Sequence, residues 1–185
     1  EYHNVAVHPE RPEVYFGFRT REDFKVSAVD LTTGEEIWET SAGMFLERRN
    51  IVSPLHLTCA RHAATLAFAD SRCVVLLDTS NGNFIASRSD YTSIRQLSLL
   101  PDGNHVAVWE LEKGNIRVSP IPSQLRTKWP RFETHNTQIV DGAFSFDDQF
   151  LVSLASDRSV GMWNVDTGEA RFGRVDECIG SAPKV

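Results

Sequence analysis

The sequence is poor in the features that mark specialised classes of protein. It has three cysteines in 185 residues, and an odd number without a closely spaced pair does not suit a disulfide framework. No apolar run approaches the roughly 18 residues that a membrane-spanning helix needs, so we expect no such helix. A signal peptide and Asn-x-Ser/Thr glycosylation sites are also absent. These absences favour an intracellular compartment, cytoplasmic or nuclear.

Lysine is scarce as well, and the net charge of the chain is −6. Only four of the 19 basic residues are lysines, and the rest are arginines. Affinity for nucleic acid comes mainly from clustered positive charge. We therefore do not expect this acidic chain to bind DNA or RNA.

The common catalytic and cofactor-binding motifs are missing too. There is no Walker-type loop, no Gly-x-Gly-x-x-Gly, no Gly-x-Ser-x-Gly and no His-Glu-x-x-His. His56 and His62 flank Cys59, but their spacing matches no zinc site. These absences remove the common classes of enzyme, and we expect a non-enzymatic chain with no cofactor and no metal.

The main feature that is present is a repeat with a period in the forties. Three segments end with an Asp or Asn that is followed four residues later by Gly. The pairs are Asp30 and Gly34, Asp78 and Gly82, and Asn164 and Gly168. The first two glycines are 48 residues apart and the second and third are 86 apart, so a degenerate copy should lie between them. The segment 99–121 has the expected strand pattern.

Each copy divides into short runs rich in Val, Leu, Phe and Ala, separated by Asp, Gly, Ser and Asn. No 3.6-residue apolar period is present. Four strands in a unit of about 40–45 residues are typical of a β-propeller blade. We therefore predict an all-β fold, a β-propeller of four-stranded antiparallel blades with about four blades present. The approximate blades are 3–41, 53–90, 93–130 and 135–174, and 175–185 is a tail or the start of the next blade.

The fourth copy has the most specific pattern. Its run 144–164 contains Asp157 in a turn, the small hydroxyl residue Ser153, and Trp163, and His135 stands 28 residues before that Trp. This pattern resembles the WD-repeat family, in which these four residue types form a hydrogen-bonded tetrad inside a blade. The resemblance implies that the four residues are structural and that they are not a catalytic triad. It also implies that the chain is part of a larger propeller of six to eight blades.

The first copy points to a different class of protein. Its segment 26–38 is similar to the blade-closing motif of quinoprotein dehydrogenases, in which a terminal Trp docks on the next blade. Only this copy ends in a Trp, at Trp38, whereas a repeat array should repeat the motif. The alternative is therefore a quinoprotein-type (pyrroloquinoline-quinone-like) or other propeller enzyme with a site in its central channel.

One face of the predicted propeller has the composition of an interface. By meander topology, the hairpins between second and third strands share this face with the link 40–54. Arginine beside an exposed Phe is enriched in protein interfaces, although a solvated rim would also be polar. The candidate partner-binding residues are Arg19, Arg21, Phe45, Arg48, Arg49, Arg72 and Arg158. We expect a non-enzymatic protein-interaction scaffold or sensor module of a larger intracellular protein, with protein partners and no membrane association.

Overall fold

The computed structural model describes most of the chain as β-strands joined by tight turns. The described residues are 2–21, 23–42, 56–100, 103, 105–110, 115–120, 135, 137–145, 147, 149–165 and 167–174. These ranges contain fifteen strands and no helix, so they contain none long and apolar enough to cross a membrane.

The strands form four antiparallel sheets, which we number in chain order. Sheet 1 contains β1 (Tyr2–Val7), β2 (Glu13–Arg19), β3 (Phe24–Asp30) and β4 (Glu36–Ser41). Sheet 2 contains β5 (His56–Cys59), β6 (Thr65–Ala69), β7 (Val74–Asp78) and β8 (Phe84–Arg88). Sheet 3 contains β9 (Ile94–Leu99), β10 (His105–Glu110) and β11 (Asn115–Pro120). Sheet 4 contains β12 (Ile139–Phe144), β13 (Phe150–Ala155), β14 (Ser159–Asn164) and β15 (Ala170–Arg174).

The prediction of an all-β fold built from antiparallel meanders is confirmed. Within each sheet the strands are neighbours in chain order, and every described pair is antiparallel. Sheet 3 has three described strands, and residues 121–134, which follow them, lie outside the described ranges. Sheets 2, 3 and 4 lie inside the ranges 53–90, 93–130 and 135–174, and sheet 1 begins one residue before the range 3–41. Their assignment to blades of a propeller stays a prediction.

Successive sheets pack face to face and meet along their first strands. β1 contacts β5, β5 contacts β9, and β9 contacts β12. Three apolar clusters fill the three spaces between the sheets. The first joins Tyr15 and Val26 of sheet 1 to Leu66 and Phe68 of sheet 2. The core is therefore a series of interfaces between sheets and not one central cluster.

The two middle sheets bury both of their faces. In β6, Leu66 and Phe68 face sheet 1, whereas Ala67 and Ala69 face sheet 3. The side chains of β10 alternate in the same way between the clusters on its two sides. Alternation along a strand sends neighbouring side chains to opposite faces, so a strand that is apolar throughout must be covered twice. This explains the continuous apolar runs of β6, β7 and β10.

A tryptophan joins sheet 1 to the last turn of sheet 2. The indole N–H of Trp38 donates to the backbone carbonyl of Thr79 over 2.8 Å. Beside it, the hydroxyl of Thr40 donates to the carbonyl of Gly82 over 2.8 Å. Gly82 has a φ of +69°, and its Cα faces the indole so closely that a Cβ there would lie 2.5 Å from a ring carbon. The turn is therefore held against the indole ring of the preceding sheet.

A charged cluster joins sheet 2 to sheet 3. Asp90, in the link between the two sheets, accepts a hydrogen bond from Nε of Arg88 over 2.6 Å and another from Arg117 of β11. The Arg117 guanidinium lies 4.9 Å from the centre of the buried Tyr91 ring. These two arginines hold the pKa of Asp90 well below its usual range. The link is thus fixed to both sheets by an ion pair and a cation–π contact.

The Trp38 contact leads to a stability prediction with an internal control. Gly34 and Gly82 occupy the same position in equivalent turns, with φ values of +74° and +69°, but nothing lies within 4 Å of a Cβ added at Gly34. Gly34→Ala should cost about 1 kcal/mol, because only the left-handed backbone disfavours alanine. Gly82→Ala should cost roughly 1–3 kcal/mol more, because its Cβ also overlaps the indole.

Urea unfolding of the two variants measures this difference directly. Equal losses of stability in Gly34→Ala and Gly82→Ala would show that the indole does not hold the turn of sheet 2. Trp38→Phe removes the N–H donor while keeping an aromatic ring, and it should lower stability by about 1 kcal/mol.

Candidate functional site

A continuous hydrogen-bonded chain runs from the buried Ser153 of sheet 4 to its exposed turn between β13 and β14. Nε2 of His135 lies 2.7 Å from the hydroxyl of Ser153, and Nδ1 lies 2.6 Å from the hydroxyl of Ser159. The Ser159 hydroxyl donates to Oδ1 of Asp157 over 2.6 Å. The Ser159 hydroxyl donates its only hydrogen to Asp157. Its oxygen therefore accepts a hydrogen bond from the Nδ1–H of His135. Nε2 is then the acceptor for the Ser153 hydroxyl.

The turn between β13 and β14 positions the acidic end of this chain. The backbone N–H of Ser159 donates to Oδ1 of Asp157 over 3.0 Å, which is the pattern of an Asx turn. Arg158, between them, has a φ of +67°, and its N–H donates to the carbonyl of Ala155. The two bonds from Ser159 lower the pKa of Asp157 below its usual value.

Two aromatic rings pack against the histidine. Trp163 and Phe172 both approach the His135 ring edge to face, with ring centres 6.2 Å apart in each case. Ser153 and Trp163 are each only 1% exposed. Burial lowers the pKa of His135, and the Asp157 carboxylate opposes this effect. The structure therefore brings His135, Ser153, Asp157 and Trp163 together, with Ser159 placed between the histidine and the aspartate.

Sequence reasoning missed two members of this group. Ser159 stands two residues after Asp157, where an Asx turn brings the hydroxyl back to the carboxylate, and this spacing was the available signal. Phe172 pairs with Gly161 across β14 and β15, and the absence of a side chain at Gly161 leaves room for the Trp163 ring. Only the register of the two strands reveals this second contact.

The group is built to satisfy buried polar atoms. A catalytic serine must reach a substrate, and the oxygen of Ser153 is enclosed between His135 and the face that packs on sheet 3. A closed chain of donors and acceptors instead joins the segment before β12 to β13 and β14. Its geometry suits the structural role that the WD-repeat resemblance implies.

The candidate partner-binding arginines that the structure describes all lie in hairpins between second and third strands. Arg19 and Arg21 are in the hairpin of sheet 1, Arg72 in that of sheet 2 and Arg158 in that of sheet 4, and all four are exposed. Phe45, Arg48 and Arg49 lie outside the described residues.

The hairpins of sheets 1 and 2 share one end of the stacked sheets. At the opposite end, Arg11 in the first turn of sheet 1 donates to the hydroxyl of Thr79 in the last turn of sheet 2 over 2.7 Å. The N–H of Ile94, where sheet 3 begins, donates to the carbonyl of Ser71 in the hairpin of sheet 2 over 2.8 Å. Sheets 1, 2 and 3 therefore run in the same direction. We call the four exposed hairpin arginines together the arginine rim.

A second feature, whose residues sequence reasoning did not name, lies where the first strands meet. A cavity of about 300 Å³ is lined by residues of β1, β5, β9 and β12. The propeller prediction implies that first strands converge, but it did not identify the side chains that line the space, because these depend on how the sheets stack. We call this feature the axial cavity.

The described residues offer no metal centre and no disulfide. They contain no group of three His, Cys, Asp or Glu side chains placed to hold a metal ion. Cys59 and Cys73 are both free thiols, and burial raises the pKa of Cys59 to about 12. A thiol of this kind is protonated and unreactive at neutral pH. Cys178 lies outside the described residues.

Comparison of the chain with protein-family models and with curated proteins found no match. The similarities to WD repeats and to the quinoprotein motif therefore depend on the residues quoted for them. The hydrogen bonds of His135 bear on the similarity to WD repeats, and the contacts of Trp38 bear on the similarity to the quinoprotein motif.

The chain through His135 predicts how serine variants behave. Ser153→Ala and Ser159→Ala should each lower the free energy of unfolding by about 1–3 kcal/mol, because each leaves a nitrogen of His135 without its partner. Ser80→Ala is the matched control, because Ser80 makes the same 2.6 Å bond to Asp78 in an exposed turn with no histidine behind it. Its effect should stay within about 0.5 kcal/mol. Equal losses in all three variants, measured by urea unfolding, would contradict the role of His135.

The pKa of His135 also predicts a pH dependence. A histidine whose pKa is lower in the folded chain than its usual 6.5 binds fewer protons when folded. Its contribution to stability is therefore complete above pH 6.5 and is lost as the pH falls below it. Burial lowers the pKa of His8 and His56 in the same direction.

Melting temperatures between pH 7.5 and pH 5 test this dependence. The wild-type chain should lose stability on acidification, and His135→Gln should lose less over the same interval, because one of the three histidines no longer titrates. Parallel pH profiles for the two proteins would show that His135 does not contribute.

Proposed function

We propose that the four sheets are an arc of a WD-repeat-type β-propeller and that the chain is a non-enzymatic protein-docking module of a larger intracellular protein. The face-to-face stacking of meanders, with the first strands converging on one cavity, supports the propeller. The hydrogen-bonded group at His135, Ser153, Asp157 and Trp163 supports the WD-repeat type.

The two outer sheets support an arc rather than a complete unit. On the free face of sheet 1, Val5 and Val7 are 58% and 60% exposed, beside the paired rings of Phe16 and Phe18. On the free face of sheet 4, apolar residues such as Val152 are only half-buried. The corresponding faces of the middle sheets are covered. Further sheets of the same kind, in a ring of six to eight, would bury these faces as sheets 2 and 3 bury theirs.

The arginine rim is the observation that carries the docking function. It consists of exposed guanidinium groups on the hairpins between second and third strands of three sheets, on a chain whose net charge is −6. A guanidinium offers five donors in a planar fork that fits a carboxylate. A partially desolvated arginine keeps its charge, so such a rim suits an acidic segment of a partner protein.

One observation favours the quinoprotein alternative. Trp38 docks on Gly82 of the following sheet, as the terminal Trp of that family's motif would. The equivalent position in sheet 2 is Ala86 and in sheet 4 is Phe172, which packs within its own sheet against Trp163. Only one of the three closing turns is followed by such a tryptophan. The likeness to quinoproteins therefore supports a similar way of packing sheets more than a similar enzymatic chemistry. We therefore favour the scaffold.

Charge reversal tests the arginine rim. The double variant Arg72→Glu/Arg158→Glu should weaken binding of a fluorescein-labelled oligoglutamate peptide by about tenfold, because two cationic groups become repulsive. The same loss is expected from Arg48→Glu/Arg49→Glu. Fluorescence anisotropy at low salt measures the affinity, and the melting temperature should hardly change, since exposed charges contribute little to folding.

The matched control adds acidic charge at the opposite end of the sheets. Thr32→Glu/Asn81→Glu places two carboxylates in the exposed turns before Gly34 and Gly82, and it should leave peptide binding within about twofold, because screening weakens charges more than about 10 Å away. Binding that survives the arginine reversals but fails in this control would overturn the assignment of the docking face.

A further inference from the structure

The axial cavity is polar on its walls and receives residues from all four sheets. Asn4 comes from β1, His56 from β5, Arg95 and Gln96 from β9, and Asp141 from β12. Val140 and two leucines complete the lining. Its volume of about 300 Å³ is at the small end of ligand sites, enough for a small acid or one side chain of a peptide.

Asp141, the acidic residue of the cavity, already accepts hydrogen bonds from other residues of the chain. Oδ1 of Asp141 accepts a hydrogen bond from Nε2 of Gln96 over 2.9 Å and another from the N–H of Gly142 over 2.8 Å. The same Gln96 amide lies 3.2 Å from the carbonyl of Gly142. Asp141 and Gln96 are therefore locked together across sheets 3 and 4, and the bonded carboxylate is a poor site for a cation.

The remaining polar groups of the wall are donors. Arg95 is exposed, and within the described ranges its guanidinium makes no hydrogen bond and no ion pair. The Asn4 side chain uses its oxygen to accept from the N–H of Val5 over 2.8 Å, which leaves its NH₂ group without a described acceptor. Burial and the Arg95 charge lower the pKa of His56, so its imidazole is neutral at pH 7 and carries one N–H.

We propose that the axial cavity is a carboxylate-binding site, in which Arg95 forms the charged contact and Asn4 and His56 supply further donors. The body of the ligand would lie against Val140, which is 45% exposed. The site borders the arginine rim, because Ile94, which precedes Arg95, is bonded to Ser71 beside Arg72. It has different lining residues and goes beyond the proposed docking function.

The charges of the wall select the kind of anion. Arg95 is the one full positive charge among the described lining residues, and Asp141 is the one full negative charge. A phosphate or sulfate carries up to two negative charges. It would be repelled by the Asp141 carboxylate, and Arg95 is the single cation available to offset this repulsion. A carboxylate carries one charge, and its two oxygens match two parallel N–H groups of a guanidinium. The carboxylate can come from a small acid or from an acidic side chain of a peptide.

The experiment tests binding of two carboxylate compounds, and of the neutral counterpart of each, to the full chain. Butyrate and butyramide represent a small acid and its amide. An acetylated, amidated hexapeptide with one Glu, and the same peptide with Gln, represent a protein source. Binding is followed by isothermal titration calorimetry and by the ¹⁵N side-chain resonances of Asn4 and Gln96. At least one carboxylate should bind about tenfold more tightly than its amide, because a charge-assisted hydrogen bond is lost in the amide.

Three variants locate the binding. Arg95→Gln should weaken it about tenfold, whereas Arg171→Gln, the matched change at an exposed arginine of the outer strand β15, should leave it unchanged. Asp141→Asn should strengthen binding by a few-fold, because asparagine keeps the acceptor for Gln96 and removes the negative charge. If Arg95→Gln fails to fold, Asn4→Asp provides the test, since a second carboxylate on the wall should weaken binding about tenfold.

The outcomes separate the site from the docking function. Butyrate binding that is lost in Arg95→Gln supports a small-acid site, and Glu-peptide binding lost in that variant supports a peptide site. Either result holds even if oligoglutamate fails to bind the rim. Equal binding of acid and amide, binding by neither acid, or binding unchanged in Arg95→Gln or weakened in Asp141→Asn would overturn the proposal.

Discussion

A four-stranded meander with two apolar faces cannot bury both of them alone, and the rest of this structure depends on that constraint. Each sheet must be covered on both sides by neighbours of the same kind, and face-to-face stacking provides this. The middle sheets meet this constraint, because β6 and β10 are buried along their whole length. Sheet 1 does not meet it, because Val5 and Val7 on its outer face are exposed. Stability is therefore shared between interfaces, so a local change should weaken one junction first.

Each junction has its own way of fixing neighbouring sheets. Between sheets 1 and 2 an indole lies on a glycine turn, and between sheets 2 and 3 Asp90 holds two arginines. Between sheets 3 and 4 the ring of Trp109 packs on Gly142, where a Cβ would lie 2.5 Å from it. Apolar burial alone leaves a sheet free to slide, whereas these contacts are directional. They fix the register, which in turn decides the residues that meet where the first strands converge.

The sequence predicted what depends on local pattern. The alternating and continuous apolar runs, together with the Asp-x-x-x-Gly turns, predicted antiparallel meanders, because strand period and turn chemistry are local properties. Four residues of the His135 group were recognised through their resemblance to the pattern of a WD repeat. Ser159 and Phe172 were missed, since their contacts depend on the turn geometry and the strand register. The axial cavity was missed for a stronger reason, because Asn4, His56, Arg95 and Asp141 come together only through the stacking of four sheets.

The two best-defined histidines show why unpaired donors can collect along the first strands. Both side chains are half-buried. His135 packs against Trp163 within sheet 4, where an unpaired nitrogen would be costly, and both of its nitrogens have partners. His56 lies on a first strand and lines the axial cavity, where water can satisfy it, so the fold does not require a protein partner for it. The same holds for the exposed Arg95 beside it. Unpaired donors can therefore accumulate along the first strands at little cost to stability, and a ligand with acceptor groups can use them there.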